Sequence, residues 1–272
     1  MILTVQHKTR YDFAGPVGGI IQSHRLTPAK CDGQKIMDWT VDVPGAVMGE
    51  LFRDGAGDYI QTVSLRALVT HIEVRVSGQV ETTDTSGVLR GYRERVPPRA
   101  YMRHTARTEA NRAISDLVDE TLRGKQDATE LERAHLLAAA VAEALPYTPG
   151  ATHAHTTAAE AMNEGAGVCQ DHAHVLIACA HLANMPARYV SGYLNATDDG
   201  SAHEASHAWA EIYLAGLGWV GFDASNKCCP NEHYIRLGSG LDAENAAPIR
   251  GLVLGGAAES LDVSVVIEAQ QQ

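Results

Sequence analysis

The period of the hydrophobic residues changes along this chain from two to about 3.6 near residue 100, and that change restricts the fold more than any other feature. Up to about residue 85 the runs "ILTVQHKTRYDF", "KIMDWTVDVPG" and "DYIQTVSLRALVTHIEVRVSGQVET" alternate apolar and polar residues, with Gly, Pro and Asp between them. In "HIEVRVSGQVE", Ile72, Val74 and Val76 point one way while His71, Glu73 and Arg75 point the other. Half-buried alternation of this kind predicts antiparallel strands in a sandwich or curled sheet. "RDGAGDY" predicts a tight hairpin between two of them.

Beyond the change the pattern is helical. "DATELERAHLLAAAVAEALPYTPG" opens on Asp127 with Glu130 three residues on, which predicts a capped helix start. Leu131, His135, Leu137 or Ala138, Val141 and Leu145 recur at helical spacing, and Pro146 and Pro149 close the segment. "TTAAEAMNEGAG" predicts a short helix ended by Gly165, and "VCQDHAHVLIACAHLANMP" a second that stops before Pro186. "ARYVSGYLN", "HAWAEIYL", "GWVGFDAS" and "LDVSVVIE" then read as strands. The expected fold is α+β: an antiparallel β domain over residues 1–95 and an α+β domain over 96–272, with the final strand closing a sheet in one of them. The junction, "LRGYRERVPPRAYMRHTAR", predicts a solvated connector, with an anion-binding surface as the alternative.

Composition narrows the partners. The net charge of -11 argues against nucleic acid. "MILTVQHKTRYDF" is interrupted by Gln6, His7, Lys8 and Arg10 and lacks the apolar centre of a secretion signal. No run approaches the roughly 20 apolar residues of a membrane span, so the expectation is a cytoplasmic protein without a membrane partner. Disorder is expected only in the closing "EAQQQ". The five cysteines, Cys31, Cys169, Cys179, Cys228 and Cys229, are odd in number and sparse, which predicts reduced thiols.

Cys169 carries the chemistry. Gly165 and Gly167 precede it, and Val168, His172, Val175 and Cys179 recur behind it at roughly helical intervals, which puts the thiol in the first turn of a helix. Unpaired amides and the helix dipole favour a thiolate there. "SHAWAEIYLAGLGWVGFDASN" reads as a hairpin that turns near Ala215 or Gly216 and brings His207 and Asp223 within a few residues of cross-strand register. One residue of slip would turn either side chain to the other face. Cysteine, histidine and aspartate so placed supply a nucleophile, a base and a group to orient the base.

The blocks "GVCQDHAHVLIACAHLANMPARYVSGYL" and "ASHAWAEIYLAGLGWVGFDASN", with the weaker "TRYDF" and "HRLTP", resemble the transglutaminase-like cysteine peptidase superfamily, in its bacterial branch with an amino-terminal β domain. The resemblance implies a papain-like α+β catalytic domain, with Cys169 as nucleophile, His207 as base and Asp223 as third member. His172 stands where the family has an aromatic residue, Ala224 and Ser225 stand where it has Pro and Thr, and the pair Cys228 and Cys229 is foreign to the pattern. What it implies chemically is acyl transfer on an amide through a thioester, with peptide or isopeptide hydrolysis favoured. Transglutaminase or other amide transfer is the alternative, as is a non-catalytic binding module on the same fold.

The Cys169 backbone N–H is the expected oxyanion donor, with Gln170 or Trp209 as candidates for a second donor or for substrate binding. Asp171 is expected either to cap the helix start or to join the chemistry. A peptide or protein substrate is expected and no cofactor. Thirteen histidines raise the question of a metal. His172 and His174 are two apart on a helix, however, and point about 200° apart. His203 and His207 lie on a segment that reads as strand, and the paired C-x-x-C and H-E-x-x-H patterns are absent. No metal is expected.

Overall fold

In β1 (Ile2–Val17) the alternation does what the sequence predicts: Leu3, Val5, His7 and Thr9 are buried while Gln6 and Lys8 face solvent. The computed structural model describes residues 1–195, 206–255 and 258–270. β1 pairs with β6 (Val69–Thr82) on one side and β12 (Glu259–Gln270) on the other, and β3 (Gln34–Asp42) completes a sheet of order β12-β1-β6-β3. A second sheet has β2 (Gly19–His24), β4 (Val47–Arg53), β5 (Tyr59–Leu65) and β11 (Ile249–Leu254) in the order β11-β2-β5-β4. Phe13, Val17, Ile20, Leu26, Val63, Leu65, Ile72, Val74 and Val76 form the core between them. "RDGAGDY" is a hairpin, closed by the pairing of Arg53 with Tyr59.

The last two strands return to this sandwich. β11 pairs with β2 and β12 with β1, so residues 249–270 join the first domain and not the 96–272 domain to which the period change assigned them. A boundary drawn where the period shifts misses a chain that crosses back, because β12 has the same period of two as the strand it pairs with. β12 also takes in Glu268, Ala269 and Gln270, three of the five residues expected to be disordered.

The helical region has four α-helices among the described residues: α1 (Arg112–Leu122), α2 (Glu130–Ala144), α3 (Ala158–Glu164) and α4 (Cys169–Leu182). They pack with an antiparallel sheet of order β10-β7-β8-β9, built from β7 (Ala187–Leu194), β8 (Ser206–Leu214), β9 (Gly218–Phe222) and β10 (Tyr234–Gly240). α4 is the central element, with Val175 to Ala180 fully buried against its neighbours. α2 starts two residues later than Asp127 and Glu130 suggest. Thr129 caps it, its hydroxyl accepting from the Glu132 N–H while Glu132 accepts from the Thr129 N–H. This reciprocal box satisfies two amide donors and outcompetes a lone Asp cap.

The two parts share one surface. The buried face of β1 and β6 covers the sandwich at Ile72 and Val74, whereas at Leu3, Val5 and Val80 it packs on Tyr193, Ile235 and Leu237 of β7 and β10. Buried charges add to this junction. Arg236 donates to Asp58 (2.8 Å) and Glu211 (2.8 Å), and Arg188 donates to Glu211 (2.6 Å) and Glu94 (2.6 Å) while stacking 4.0 Å over Trp219. The Arg-rich junction is thus only half a connector. Arg90, Arg93, Arg95, Arg99 and Arg103 are exposed, but Tyr92, Glu94 and Tyr101, interleaved with them, dock on Arg188 or Arg236.

Candidate active site

The two glycines before Cys169 have separate physical reasons. Gly165 ends α3 in the left-handed conformation, φ 64°, which costs a glycine least. A Cβ on Gly167 would stand 2.7 Å from the Cβ of Asp171 and 2.9 Å from its carboxylate. Asp171 needs that space because it caps α4: its Oδ2 accepts from the Val168 N–H at 2.8 Å and from the Thr152 hydroxyl at 2.5 Å. Cys169 is the first residue of α4, half-buried, and its N–H lies in the turn where no intrahelical acceptor exists.

The β8–β9 register brings the next two groups together. Ala210 pairs with Phe222 and Leu214 with Gly218. One step further places Asp223 level with Trp209, two residues from His207 and on the same side of the sheet. His207 Nε2 donates to Asp223 Oδ2 at 2.6 Å, and the imidazole lines the cleft together with Cys169, whose thiol adds to the pull that raises it. Asp223 and His207 are thus hydrogen-bonded, and His207 and Cys169 meet at one cleft.

Asp223 is held by more than the histidine. Ser225 Oγ donates to Oδ1 at 2.6 Å, and Asn226 donates through its backbone to Oδ1 at 3.2 Å and through its side chain to Oδ2 at 2.7 Å. Tyr234 O–H donates to Oδ2 at 2.9 Å. Burial favours the neutral acid, but the hydrogen bond and charge of His207, then Ser225 and Asn226, outweigh it and hold Asp223 at about 2. Burial likewise opposes charge on His207. There the Asp223 hydrogen bond, then that to Cys169, with the charges of both, raise the imidazole to about 10.

The sequence reading missed Asn226 and Tyr234. Asn226 had a signal, since it falls in the quoted "FDASN" run, whereas Tyr234 comes from a separate strand. Trp209 is buried behind His207, its ring stacked at 6.4 Å from the imidazole and edge-on to Tyr234 at 5.5 Å. It lines a separate small cavity and not the cleft at Cys169. Gln170 does line that cleft, with its amide 3.4 Å from the Ala154 carbonyl. The cleft holds about 630 Å³ and reaches Cys169, His207, Tyr147, Tyr189 and Tyr193.

The remaining singled-out residues have structural surroundings. His172 points its two ring nitrogens at the Val168 and Leu145 carbonyls, 2.8 and 2.7 Å away. His174 accepts from the Ala243 N–H, and burial lowers it to about 4. Among the described residues no group of three His, Cys, Asp or Glu is placed to hold a metal ion. His203 lies outside the described residues. Cys228 exchanges backbone hydrogen bonds with Asp223, and its thiol lies 3.3 Å from the Tyr234 hydroxyl.

Comparison with known proteins bears on the family and the fold. Residues 115–224 match the transglutaminase-like superfamily core, and residues 3–81 match the bacterial transglutaminase-like N-terminal region. The chain thus carries a transglutaminase-like core behind a bacterial transglutaminase-like N-terminal region. An uncharacterized protein of Mycobacterium leprae is 29% identical over 97% of this chain and 98% of its own length. One of Mycobacterium tuberculosis is 35% identical over 44% of this chain and 41% of its own. A crystal structure from Cytophaga hutchinsonii, described as that of a candidate cysteine protease, has the same fold, with a TM-score of 0.73 at 20% identity over 100% of this chain and 92% of that one. The fold is accordingly α+β, a transglutaminase-like domain of the papain-like cysteine protease kind behind an N-terminal strand domain.

Proposed function

We propose that the chain is an enzyme of cysteine-dependent acyl transfer that hydrolyses peptide or isopeptide bonds, with a peptide or protein as substrate. The observation that carries this reading is the buried Asp223–His207 pair at 2.6 Å, with His207 and Cys169 lining one open cleft. Cys169 gives its proton to His207 and its sulfur attacks the amide carbonyl carbon, with the oxyanion facing the Cys169 N–H. The C–N bond breaks as the imidazolium returns the proton to the leaving amine, which leaves a thioester. His207 then takes a proton from water, the hydroxide displaces the thiol, and a carboxylic acid leaves. Asp223 fixes the tautomer and stabilises the imidazolium. All five cysteines are free, which supports a reducing compartment and hence the cytoplasm.

A mixed peptide library incubated with the protein and methylamine tests both chemistry and acceptor by mass spectrometry. Hydrolysis yields new carboxyl termini that disappear in Cys169→Ala. Methylamides in place of acids would make the enzyme a transferase, and no product of either kind would remove the enzyme reading.

A further inference from the structure

The cleft at Cys169 is not built by the transglutaminase-like core alone. His7 of β1 and Pro248, just ahead of β11, line it beside Tyr193. His7 stands where the buried face of β1 passes from one core to the other. Val5 packs with Tyr193 and Ile235, whereas Val76, paired with His7, belongs to the sandwich.

His7 Nδ1 is 2.7 Å from the Tyr193 hydroxyl, Nε2 is 2.8 Å from Thr9 Oγ1, and the ring meets Tyr193 edge-on at 5.7 Å. Burial lowers His7 to about 4, so the ring is neutral at neutral pH. A neutral imidazole has one N–H and one lone pair, so it donates to one of these hydroxyls and accepts from the other. Tyr193 is thereby fixed beside Gly192, the residue paired with His207. The described residues that line the cleft include no Lys, Arg, Asp or Glu.

We propose that this cleft takes an uncharged side chain next to the scissile amide, and that the buried Tyr193 of the core, held by His7 of the β domain, fixes the part of the wall at Gly192 that selects it. The proposal rests on Cys169 being the nucleophile. A charged side chain entering the cleft would leave water, a cation meeting no carboxylate among the described lining residues and an anion meeting only the His207 imidazolium, already paired with Asp223. An aliphatic or aromatic one would cover the exposed ring of Tyr147, and a carboxamide would find hydroxyl partners among Thr152, Ser191 and Ser206. His7 acts through Tyr193 and is a positioning residue. The β domain then belongs to the substrate site.

The test uses the full chain and acetyl-Ala-Ala-X chloromethyl ketones, with X as Leu, Phe, Gln, Lys or Glu. Their rates of alkylating Cys169 are read by mass spectrometry beside the rate with iodoacetamide, which fills no side-chain site. The Leu, Phe and Gln probes are expected to react at least about tenfold faster than Lys and Glu. In Tyr193→Phe and His7→Phe the ratio of the uncharged-probe rate to the iodoacetamide rate falls about threefold or more, and His7→Gln, which can both donate and accept, restores it. Tyr193→Phe removes a single oxygen and keeps the test open if His7→Phe does not fold. Equal rates for charged and uncharged probes, or an unchanged ratio in Tyr193→Phe, would overturn the proposal. Failure of iodoacetamide to label wild-type Cys169 would instead overturn the enzyme reading beneath it.

Discussion

One face of β8 carries His207, Trp209 and Glu211, and the two charged ends of that row differ in what their surroundings leave undone. Glu211 accepts from Arg188 at 2.6 Å and from Arg236 at 2.8 and 3.3 Å, and Arg236 continues to Asp58. Asp58 in turn accepts from the Ser239 backbone and hydroxyl. Every carboxylate there is closed by fixed protein donors, and the result is a clamp between two domains. At the other end Asp223 is just as closed, with five hydrogen bonds, but the histidine it holds shares an open cleft with a half-buried thiol. In the proposed mechanism, reactivity comes from a saturated carboxylate followed by an unsaturated end.

Breaking each end should therefore give opposite phenotypes. Cys169→Ala is expected to remove essentially all turnover, by about 10⁶-fold, while circular dichroism shows a folded protein. Asp223→Asn should lower turnover by about 10⁴-fold while the protein stays folded, its cost being about 2 kcal/mol because Asn keeps one acceptor oxygen; unfolding of that variant would make the aspartate structural. Glu211→Ala should do the reverse. It leaves Arg188 with Glu94 alone and Arg236 with Asp58 alone, two buried guanidiniums short of their shared carboxylate, and costs about 3–5 kcal/mol in urea unfolding, while the pH profile of Cys169 labelling stays in place.

The pH dependence sharpens the same contrast. Asp223 is depressed to about 2, so its contribution is present above its ordinary 3.8, is about 2 kcal/mol, and is lost as pH falls through about 2. His207 is raised to about 10, so its contribution is full below its ordinary 6.5 and is lost as pH rises through about 10. Urea midpoints of wild type against Asp223→Asn and His207→Gln across pH 2 to 11 read both windows. A stability gap that grows with alkaline pH for His207→Gln would contradict the pairing. The smallest effect belongs to Tyr234→Phe, about 1 kcal/mol, because Asp223 keeps four other donors.

Much of this was legible in the chain. The alternation of β1 and β6, the helix start at Cys169 and the β8–β9 turn all follow from local periodicity and glycine chemistry, which act within a few residues. Register was only bounded, because a turn between Leu214 and Gly218 admits a slip that the packing of His207 and Asp223 then fixes. What stayed hidden depends on partners distant in sequence. Arg236 looks like any strand cation until Asp58 meets it 178 residues away, and His7 looks like a polar interruption until Tyr193 covers it. β12 reads as a strand, but nothing local says that β1 is its neighbour. α1 escaped notice because Ile114 and Val118 supply its buried stripe within a charged segment.

The most direct measurement is the pH dependence of iodoacetamide labelling at each of the five cysteines, read by mass spectrometry in wild type and His207→Ala. Coupled thiol and imidazole predict that Cys169 labels selectively below pH 7 and loses that advantage without His207. Labelling of Cys169 no faster than Cys31, or equal labelling in both proteins, would contradict a nucleophile activated by His207.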